Sequence, residues 1–266
     1  MRVAANGHTL FCAVRGTGPP VLMIMGVGAD HLSWGLQVPA LAAAGRTVVT
    51  FDNRDAGRST RATGEYAPAD LAADAAALMA ELGHDRYDVV GASLGGAVAQ
   101  ELTLAHPERV RTLQLVATWA RSGAVVGRAA ALWLRAADAL TDAERAESRM
   151  LQVFTEDFFE DEGRVEMMRG LWLSGPQQEP EAFARQLRCA ARHDAAGRLG
   201  EIPSSLPVHL VAGDRDVLVP VWKTRELAAL LPDARVTIIG GAAHALNVEF
   251  AAQLNEALVG FLAEHG

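Results

Sequence analysis

Cysteine, long apolar runs and positive charge are all scarce in this sequence. Its 266 residues include two cysteines, Cys12 and Cys189, which lie far apart in the chain. This usage favours two buried free thiols in a cytoplasmic protein over a disulfide. No apolar run is long enough to span a bilayer, and residues 1–7 lack the apolar segment of a signal peptide. We therefore expect a cytoplasmic location, no membrane partner and no signal peptide.

The balance of charge is acidic. There are 24 lysines and arginines against 32 aspartates and glutamates, so the formal net charge is −8 and the isoelectric point lies near 5.5. Such a chain is a poor match for nucleic acid or an anionic membrane surface. Half of the residues are hydrophobic, which suits one large α/β domain with an insertion. The sequence shows no internal repeat and no cluster with metal-ligand spacing.

Apolar runs and helical patterns alternate along most of the chain. The turn Asn6-Gly7 within residues 2–15 predicts a hairpin of two antiparallel strands at the edge of a sheet. Further strands are predicted at residues 20–25, 47–51, 89–90, 110–116, 208–212 and 236–239, and helices at 32–44, 68–82, 97–105, 221–231 and 250–261. This order predicts an α/β fold with a doubly wound, mostly parallel sheet.

The alternation stops after Thr118. From about Trp119 to Ile202 no strand is predicted, and helical patterns occupy residues 129–140, 142–154 and 181–189, a segment too long for a loop. We interpret residues 120–202 as a helical cap over the carboxyl edge of the sheet, where ligands bind in open α/β sheets. Residues 1–119 and 203–266 then form the two parts of the core. The cap is rich in aromatic residues and methionine, so we expect a mobile lid that sets substrate choice.

One pentapeptide, Gly91-Ala92-Ser93-Leu94-Gly95, lies between a short β-branched run and a helical segment. A G-x-S-x-G motif in that context is typical of a nucleophile elbow, a tight turn that exposes a serine at the edge of the sheet. Glycine is needed at both ends because a Cβ there would strike the neighbouring strand or helix. The helix start adds unpaired N–H groups that suit an oxyanion. Ser93 is therefore the candidate nucleophile.

A serine nucleophile needs a base to take its proton and an acid to orient that base. Of the eight histidines, we favour His244, because it lies just past the last strand and so at the same sheet edge as Ser93. The acid is expected after the preceding strand, where the turn Gly213–Pro220 offers both Asp214 and Asp216. The chain order is then Ser, Asp, His, which is the order of one of the three known arrangements.

With these motifs the chain resembles the α/β-hydrolase superfamily over essentially its whole length, and within it the branch of capped carboxylesterases and 3-oxoadipate enol-lactonases. The matching segments are Gly91–Gly95, Asp52-Asn-Arg54-Asp-Ala-Gly57-Arg-Ser59, Gly213–Pro220 and Gly241–His244. In the family the acid lies four residues before the proline, so the resemblance favours Asp216, with Asp214 capping the turn. The resemblance also implies that Arg54 and Asp52 belong to a turn with a structural role.

The resemblance further implies that the backbone N–H groups of Val27 and Leu94 form the oxyanion hole. The family usually carries His-Gly after the third strand, and this chain has Met25-Gly26 instead. The departure does not remove a function that rests on backbone N–H groups. Four aromatic side chains are candidate substrate-binding residues: His31, Trp34, Trp133 and Trp172. For His31 and Trp34, the sequence is equally compatible with a structural role.

What the resemblance implies is a serine hydrolase that cleaves the ester or lactone bond of a small, largely apolar substrate through an acyl-enzyme, without cofactor or metal. The same triad also supports carbon–carbon bond hydrolysis, cofactor-free perhydrolysis, and cyclase or thioesterase reactions. From a different class, some proteins of this fold are small-molecule receptors. The sequence leaves open the acyl and alcohol groups and the oligomeric state, a homodimer included.

Overall fold

The computed structural model describes residues 1–123, 127–128, 131–132, 135, 139–174 and 178–266, and within them a single large sheet. Its strands are β1 (Arg2–Ala5), β2 (His8–Arg15), β3 (Pro20–Ile24), β4 (Thr47–Phe51), β5 (Tyr87–Ala92), β6 (Val110–Val116), β7 (Val208–Gly213) and β8 (Arg235–Ile239). Their order across the sheet is β1-β2-β4-β3-β5-β6-β7-β8. Strand β2 is antiparallel to both its neighbours, and the other pairs are parallel. The predicted mostly parallel sheet is confirmed.

The predicted hairpin joins β1 and β2. Asn6 and Gly7 both have positive φ, 48° and 76°, as the turns that match the twist of two paired strands require. Cys12 lies in β2, and both it and Cys189 are buried free thiols. The hairpin therefore closes one edge of the sheet, away from the parallel strands whose carboxyl ends carry the candidate site.

The helices of the described ranges cover both faces of the sheet and also occupy the segment between β6 and β7. They are α1 (Gln37–Ala43), α2 (Pro68–Glu81), α3 (Leu94–Ala105), α4 (Asp142–Val153), α5 (Glu156–Phe159), α6 (Glu162–Ser174), α7 (Pro180–Ala191), α8 (Val221–Leu230), α9 (Leu246–Glu249) and α10 (Ala251–His265). Along β3, Leu22 and Ile24 face a cluster shared with α2 and α3, whereas Val21 and Met23 face one shared with α1 and α10. Alternate residues of β3 thus face opposite layers of helices, and because both layers are apolar, every position of the strand is apolar.

The predicted helix over residues 32–44 is two elements. A 3₁₀ helix, His31–Trp34, ends at Gly35, and α1 begins at Gln37. Asp30 caps the 3₁₀ helix by accepting a hydrogen bond from the Leu32 N–H. The apolar periodicity continues across the break, so the sequence alone does not reveal it.

Helices α4 to α7 lie between β6 and β7, in the segment interpreted as a cap. Helix α4 starts with a capping box, because Thr141 and Glu144 each accept a hydrogen bond from the other's backbone N–H. A small apolar cluster holds α4, α5 and α6 together through Met150, Phe154, Phe158, Val165 and Met168. Within the described ranges, no helix has both the length and the hydropathy needed to cross a bilayer.

Candidate active site

Ser93 lies between β5 and α3 with φ 55° and ψ −121°, a conformation that residues with a side chain rarely adopt. A Cβ on Gly91 would lie 2.3 Å from the carbonyl oxygen of Gly95, and one on Gly95 would lie 2.0 Å from that of Ile24. Both positions therefore require glycine. The Ser93 N–H donates to the carbonyl of Val116 at 2.9 Å, which fixes the turn to the end of β6.

His244 follows β8 and Asp216 follows β7, and the structure brings these two side chains together. Nδ1 of His244 lies 2.7 Å from Oδ2 of Asp216. The other oxygen of Asp216 accepts hydrogen bonds from the N–H groups of Leu218, at 2.9 Å, and Val219, at 2.8 Å. The turn thus orients the carboxylate. Because that carboxylate accepts from Nδ1, the lone pair of His244 is left on Nε2.

Asp214 lies in the same turn but is exposed and contacts a different partner. Its Oδ1 accepts a hydrogen bond from the Gly241 N–H at 2.7 Å. Asp214 therefore links the turn after β7 to the turn after β8, as a capping residue does. The pair with His244 belongs to Asp216.

Asp216 also sets the protonation of His244. Burial lowers the pKa of His244 because it penalises the imidazolium, but the charge of Asp216 and its hydrogen bond raise the pKa, and the net value lies above the ordinary 6.5. A histidine with a raised pKa is a stronger base. It is neutral, and so able to accept a proton, only at a pH above that raised value.

The segment after β3 lies against Ser93. A Cβ on Gly26 would lie 2.9 Å from Cβ of Ser93 and 3.3 Å from its Oγ. Val27 follows Gly26, and Leu94 follows Ser93 at the start of α3. Neither backbone N–H donates a hydrogen bond to another described residue. Two unpaired N–H groups beside a serine hydroxyl are the arrangement that binds an oxyanion in acyl transfer.

The loop that carries Val27, residues 25–28, is held through its backbone at both ends. The carbonyl of Met25 accepts a hydrogen bond from Nδ2 of Asn53 at 3.0 Å, so the loop does not depend on which side chain stands at position 25. The Gly28 N–H donates to Oε1 of Gln186 at 2.9 Å, and Gln186 is fully buried in α7. Sequence reasoning missed Gln186, because a glutamine on a helix looks like part of a solvated face.

The aromatic candidates occupy different settings. Trp34 is fully buried in the core cluster with α1 and α10. His31 has Nδ1 2.7 Å from Oδ1 of Asp52. Both settings fit the structural role that the sequence left open for Trp34 and His31. Trp172 lies in the cap, its ring centroid 6.1 Å from that of Phe154. Trp133 lies outside the described residues.

Asp30, His31 and Asp52 bring potential metal ligands within 4.8 Å of one another. Their atoms are already used in protein hydrogen bonds. Oδ1 of Asp52 accepts from the His31 N–H as well as contacting its Nδ1, and Oδ2 accepts from the Arg58 N–H. Burial raises the pKa of Asp52, but the hydrogen bonds from His31 and Arg58 lower it further than burial raises it. The cluster therefore fits the structural turn that the resemblance implied.

Comparison with known proteins bears on this geometry. A family model described as the alpha/beta hydrolase fold matches residues 19–251. The chain is 33% identical to the proposed non-haem bromoperoxidase BpoC of Mycobacterium tuberculosis over 93% of this chain and 95% of the relative. It is 29% identical to the proposed carbamate hydrolase RutD of Azorhizobium caulinodans, over 96% and 95%. A solved structure, the enol-lactonase from Burkholderia xenovorans LB400, superposes with a TM-score of 0.89 at 26% identity, covering 99% of this chain and 100% of the other.

Proposed function

The chain belongs to the α/β-hydrolase fold family, and from this premise we propose that it is a serine hydrolase of carboxylic esters or lactones. Membership supports a hydrolase. The bond that is cleaved and the roles of the three side chains are our proposal. Its strongest support is the 2.7 Å contact between His244 and Asp216, because a buried carboxylate that orients an imidazole is what a serine nucleophile requires.

In this mechanism Nε2 of His244 takes the proton of Ser93 as its Oγ attacks the carbonyl carbon. The N–H groups of Val27 and Leu94 stabilise the oxyanion of the tetrahedral intermediate. His244 then gives the proton to the leaving alkoxide, and the acyl group stays on Ser93. Water loses a proton to the same imidazole and attacks the acyl-enzyme, which releases the acid and restores the serine.

The named relatives point to three kinds of chemistry on one fold: an enol-lactonase, a carbamate hydrolase and a bromoperoxidase. We place esters and lactones first for two reasons. The enol-lactonase matches over 99% of this chain. An alkoxide leaving group also needs only the one proton that His244 carries after attack. A small, largely apolar substrate fits the aromatic residues of the cap.

Labelling with a fluorophosphonate, followed by a panel of activated esters and lactones, tests the proposal. We expect the probe to modify Ser93. Ser93→Ala should lower kcat by about 10⁶-fold, the scale known for a triad serine, while the melting temperature stays near that of the native protein. Ser204→Ala, at an exposed serine before β7, is the matched control and should leave kcat unchanged. Near-native ester turnover by Ser93→Ala would contradict the assignment.

A second reaction is favoured by the 33% identity to BpoC. If hydrogen peroxide replaces water as the acceptor, the same acyl-enzyme yields a peracid and the free serine. Adding hydrogen peroxide to the ester assay measures how the acyl-enzyme partitions between water and peroxide, and matched carbamates offered in place of the esters measure carbamate hydrolysis separately. Faster release of peracid than of acid would favour the peroxidase-like reaction over hydrolysis.

A further inference from the structure

Gln186 is a polar side chain that is fully buried where helix α7 packs on the loop after β3. Its Oε1 accepts hydrogen bonds from the Gly28 N–H at 2.9 Å and from Nε2 of Gln178 at 3.0 Å. Its own Nε2 donates to the carbonyl of Arg54 at 3.2 Å. Turning the amide over would set its NH₂ group against two N–H donors and its oxygen against a carbonyl. The fold therefore fixes the orientation of the Gln186 amide.

The peptide group that carries the Val27 N–H has an anchored neighbour on each side. On the amino-terminal side, Nδ2 of Asn53 donates to the carbonyl of Met25 at 3.0 Å. On the carboxyl-terminal side, the Gly28 N–H donates to Gln186. Asn53 lies in the turn after β4 and belongs to the core, whereas Gln186 belongs to the cap. The two anchors of this peptide thus come from different parts of the chain.

The conformation of Gly28 makes the second anchor important. Gly28 has a φ of +71°, and glycine changes its backbone angles at little steric cost. Its carbonyl oxygen also faces the cap, 3.4 Å from Nη1 of Arg149. If Gln186 did not hold the Gly28 N–H, the peptide between Val27 and Gly28 could rotate. The Val27 N–H is joined to that peptide through a single Cα, so its direction relative to Ser93 would change as well.

We propose that Gln186 is a positioning residue, which reaches from the cap to hold the Val27 N–H where the oxyanion forms. The inference rests on the proposed hydrolase function. An oxyanion develops in the tetrahedral intermediate and not in the bound ester, so Gln186 should stabilise the transition state and not the bound substrate. Acylation and deacylation both pass through such an intermediate. The oxyanion hole is then complete only while α7 is packed on the core, which links the position of the cap to the rate.

Replacing the amide by an apolar side chain of similar length tests this role. With 4-nitrophenyl butyrate, Gln186→Met should lower kcat by about 10- to 100-fold, a part of the loss caused by removing a whole oxyanion donor, and leave KM within about 3-fold. Inhibition by 1,1,1-trifluorohexan-2-one should weaken by a similar factor, because its adduct with a serine carries an oxyanion. Inhibition by hexan-2-one, which binds without an adduct, should stay the same.

Further variants separate positioning from general damage. Gln186→Glu in its neutral form, which burial favours, can make both hydrogen bonds and should recover most of the kcat lost in Gln186→Met. Gln152→Met is the matched control, because Nε2 of Gln152 donates to the carbonyl of Ser148 in its own helix, and kcat should be unchanged. If Gln186→Met does not fold, Gln186→Asn decides, since its amide is one methylene too short to reach Gly28: a native kcat there contradicts the inference.

The outcomes distinguish this inference from the proposed function. Native turnover together with an unchanged kcat in Gln186→Met overturns the role of Gln186 and leaves the hydrolase intact. Equal weakening of both ketones in Gln186→Met would show a purely structural role, and it likewise overturns the inference. If the native protein shows neither turnover nor labelling of Ser93, the hydrolase is overturned and this inference with it.

Discussion

Asp214 and Asp216 lie two residues apart in one turn, yet they contact different partners. Asp216 is buried and bonds His244, whereas Asp214 is exposed and bonds the Gly241 N–H. Two backbone N–H groups fix one oxygen of Asp216 so that the other faces the imidazole. The chemistry of the two aspartates is the same, and the local backbone separates their roles.

Substituting each aspartate by asparagine separates the two roles. We expect Asp216→Asn to lower kcat by about 10⁴-fold, because an amide stabilises the imidazolium poorly and permits the wrong tautomer. Asp214→Asn keeps an oxygen that can accept from Gly241, so we expect a loss of at most about 1 kcal/mol in stability. Rates and melting temperatures of both variants measure this. Loss of turnover in Asp214→Asn alone would reverse the assignment.

The pH dependence of the rate gives an independent measure of Asp216. Because Asp216 raises the pKa of His244 above 6.5, the native rate should fall as the pH drops through that raised value, where the base becomes protonated. In Asp216→Asn both raising effects are lost and burial still lowers the pKa. The acid limb of kcat/KM should therefore move to lower pH. A limb at the same pH in both proteins would exclude this coupling.

Most elements of the core could be predicted from the sequence, because strand and helix periods are local properties. Two strands have the bounds that the sequence predicted: Thr47–Phe51 and Val110–Val116. The break at Gly35 was not predictable, since the apolar period continues through it. The turn around Ser93 was predictable for a different reason, because its G-x-S-x-G pattern is itself a local motif, although the contact that excludes a side chain at Gly95 comes from the distant backbone of Ile24.

The roles of cap residues could not be predicted in the same way. Gln186 and Arg149 both contact Gly28, which lies more than a hundred residues away in sequence. On their helices both look like ordinary polar positions, and only the packing of the cap on the core reveals that Gln186 is buried and Arg149 largely so. The pairing of Asp216 with His244 was more accessible, since the ends of neighbouring parallel strands meet at one edge.

At the scale of single elements, two helical glycines make a matched pair. In α3, a Cβ on Gly95 would lie 2.0 Å from the carbonyl oxygen of Ile24, which is backbone of β3 and cannot move without disturbing the sheet. In α10, a Cβ on Gly260 meets nothing within 4 Å. The same substitution should thus have opposite effects.

We expect Gly95→Ala to lower the free energy of unfolding by about 1–3 kcal/mol or more, through overpacking. Gly260→Ala should raise it by about 0.5–1 kcal/mol, because alanine favours the helix and restricts the unfolded chain. Urea unfolding of both variants measures the difference. Stabilisation by Gly95→Ala would show that α3 does not pack on β3 as closely as described.

At the scale of the whole molecule, polar contacts tie the cap to the core on two sides. In the turn after β4, Arg185 donates two hydrogen bonds to the buried carboxylate of Asp55, at 2.8 and 2.7 Å. Near His244, the Thr155 N–H donates to Glu249 at 3.1 Å. Removing one partner of a buried pair leaves an uncompensated charge. Together with the hydrogen bond from the Gly28 N–H to Gln186, these contacts attach helices α4 to α7 to the core at three places.

Two buried histidines, apart from His244, make stability depend on pH. His209 contacts Gln114 and Thr237, at 3.0 and 2.9 Å, and His193 contacts Gln100 at 3.2 Å. Burial lowers the pKa of His209 to about 4, helped by the charge of Arg235. Burial likewise lowers the pKa of His193 to about 4. Both are therefore neutral in the folded protein at a pH where the unfolded chain binds protons.

The sign of the effect follows from the ordinary histidine pKa of 6.5. Above that pH neither state is protonated, so stability is unaffected. As the pH falls from 6.5 towards 4, the unfolded state takes up the proton first, and each histidine lowers the free energy of unfolding by up to about 1.4 kcal/mol per pH unit. His209→Gln should make this decline shallower, although it loses the packing on Phe261. Urea unfolding at pH 5 and 7.5 measures both slopes, and equal slopes would mean that His209 is not held neutral.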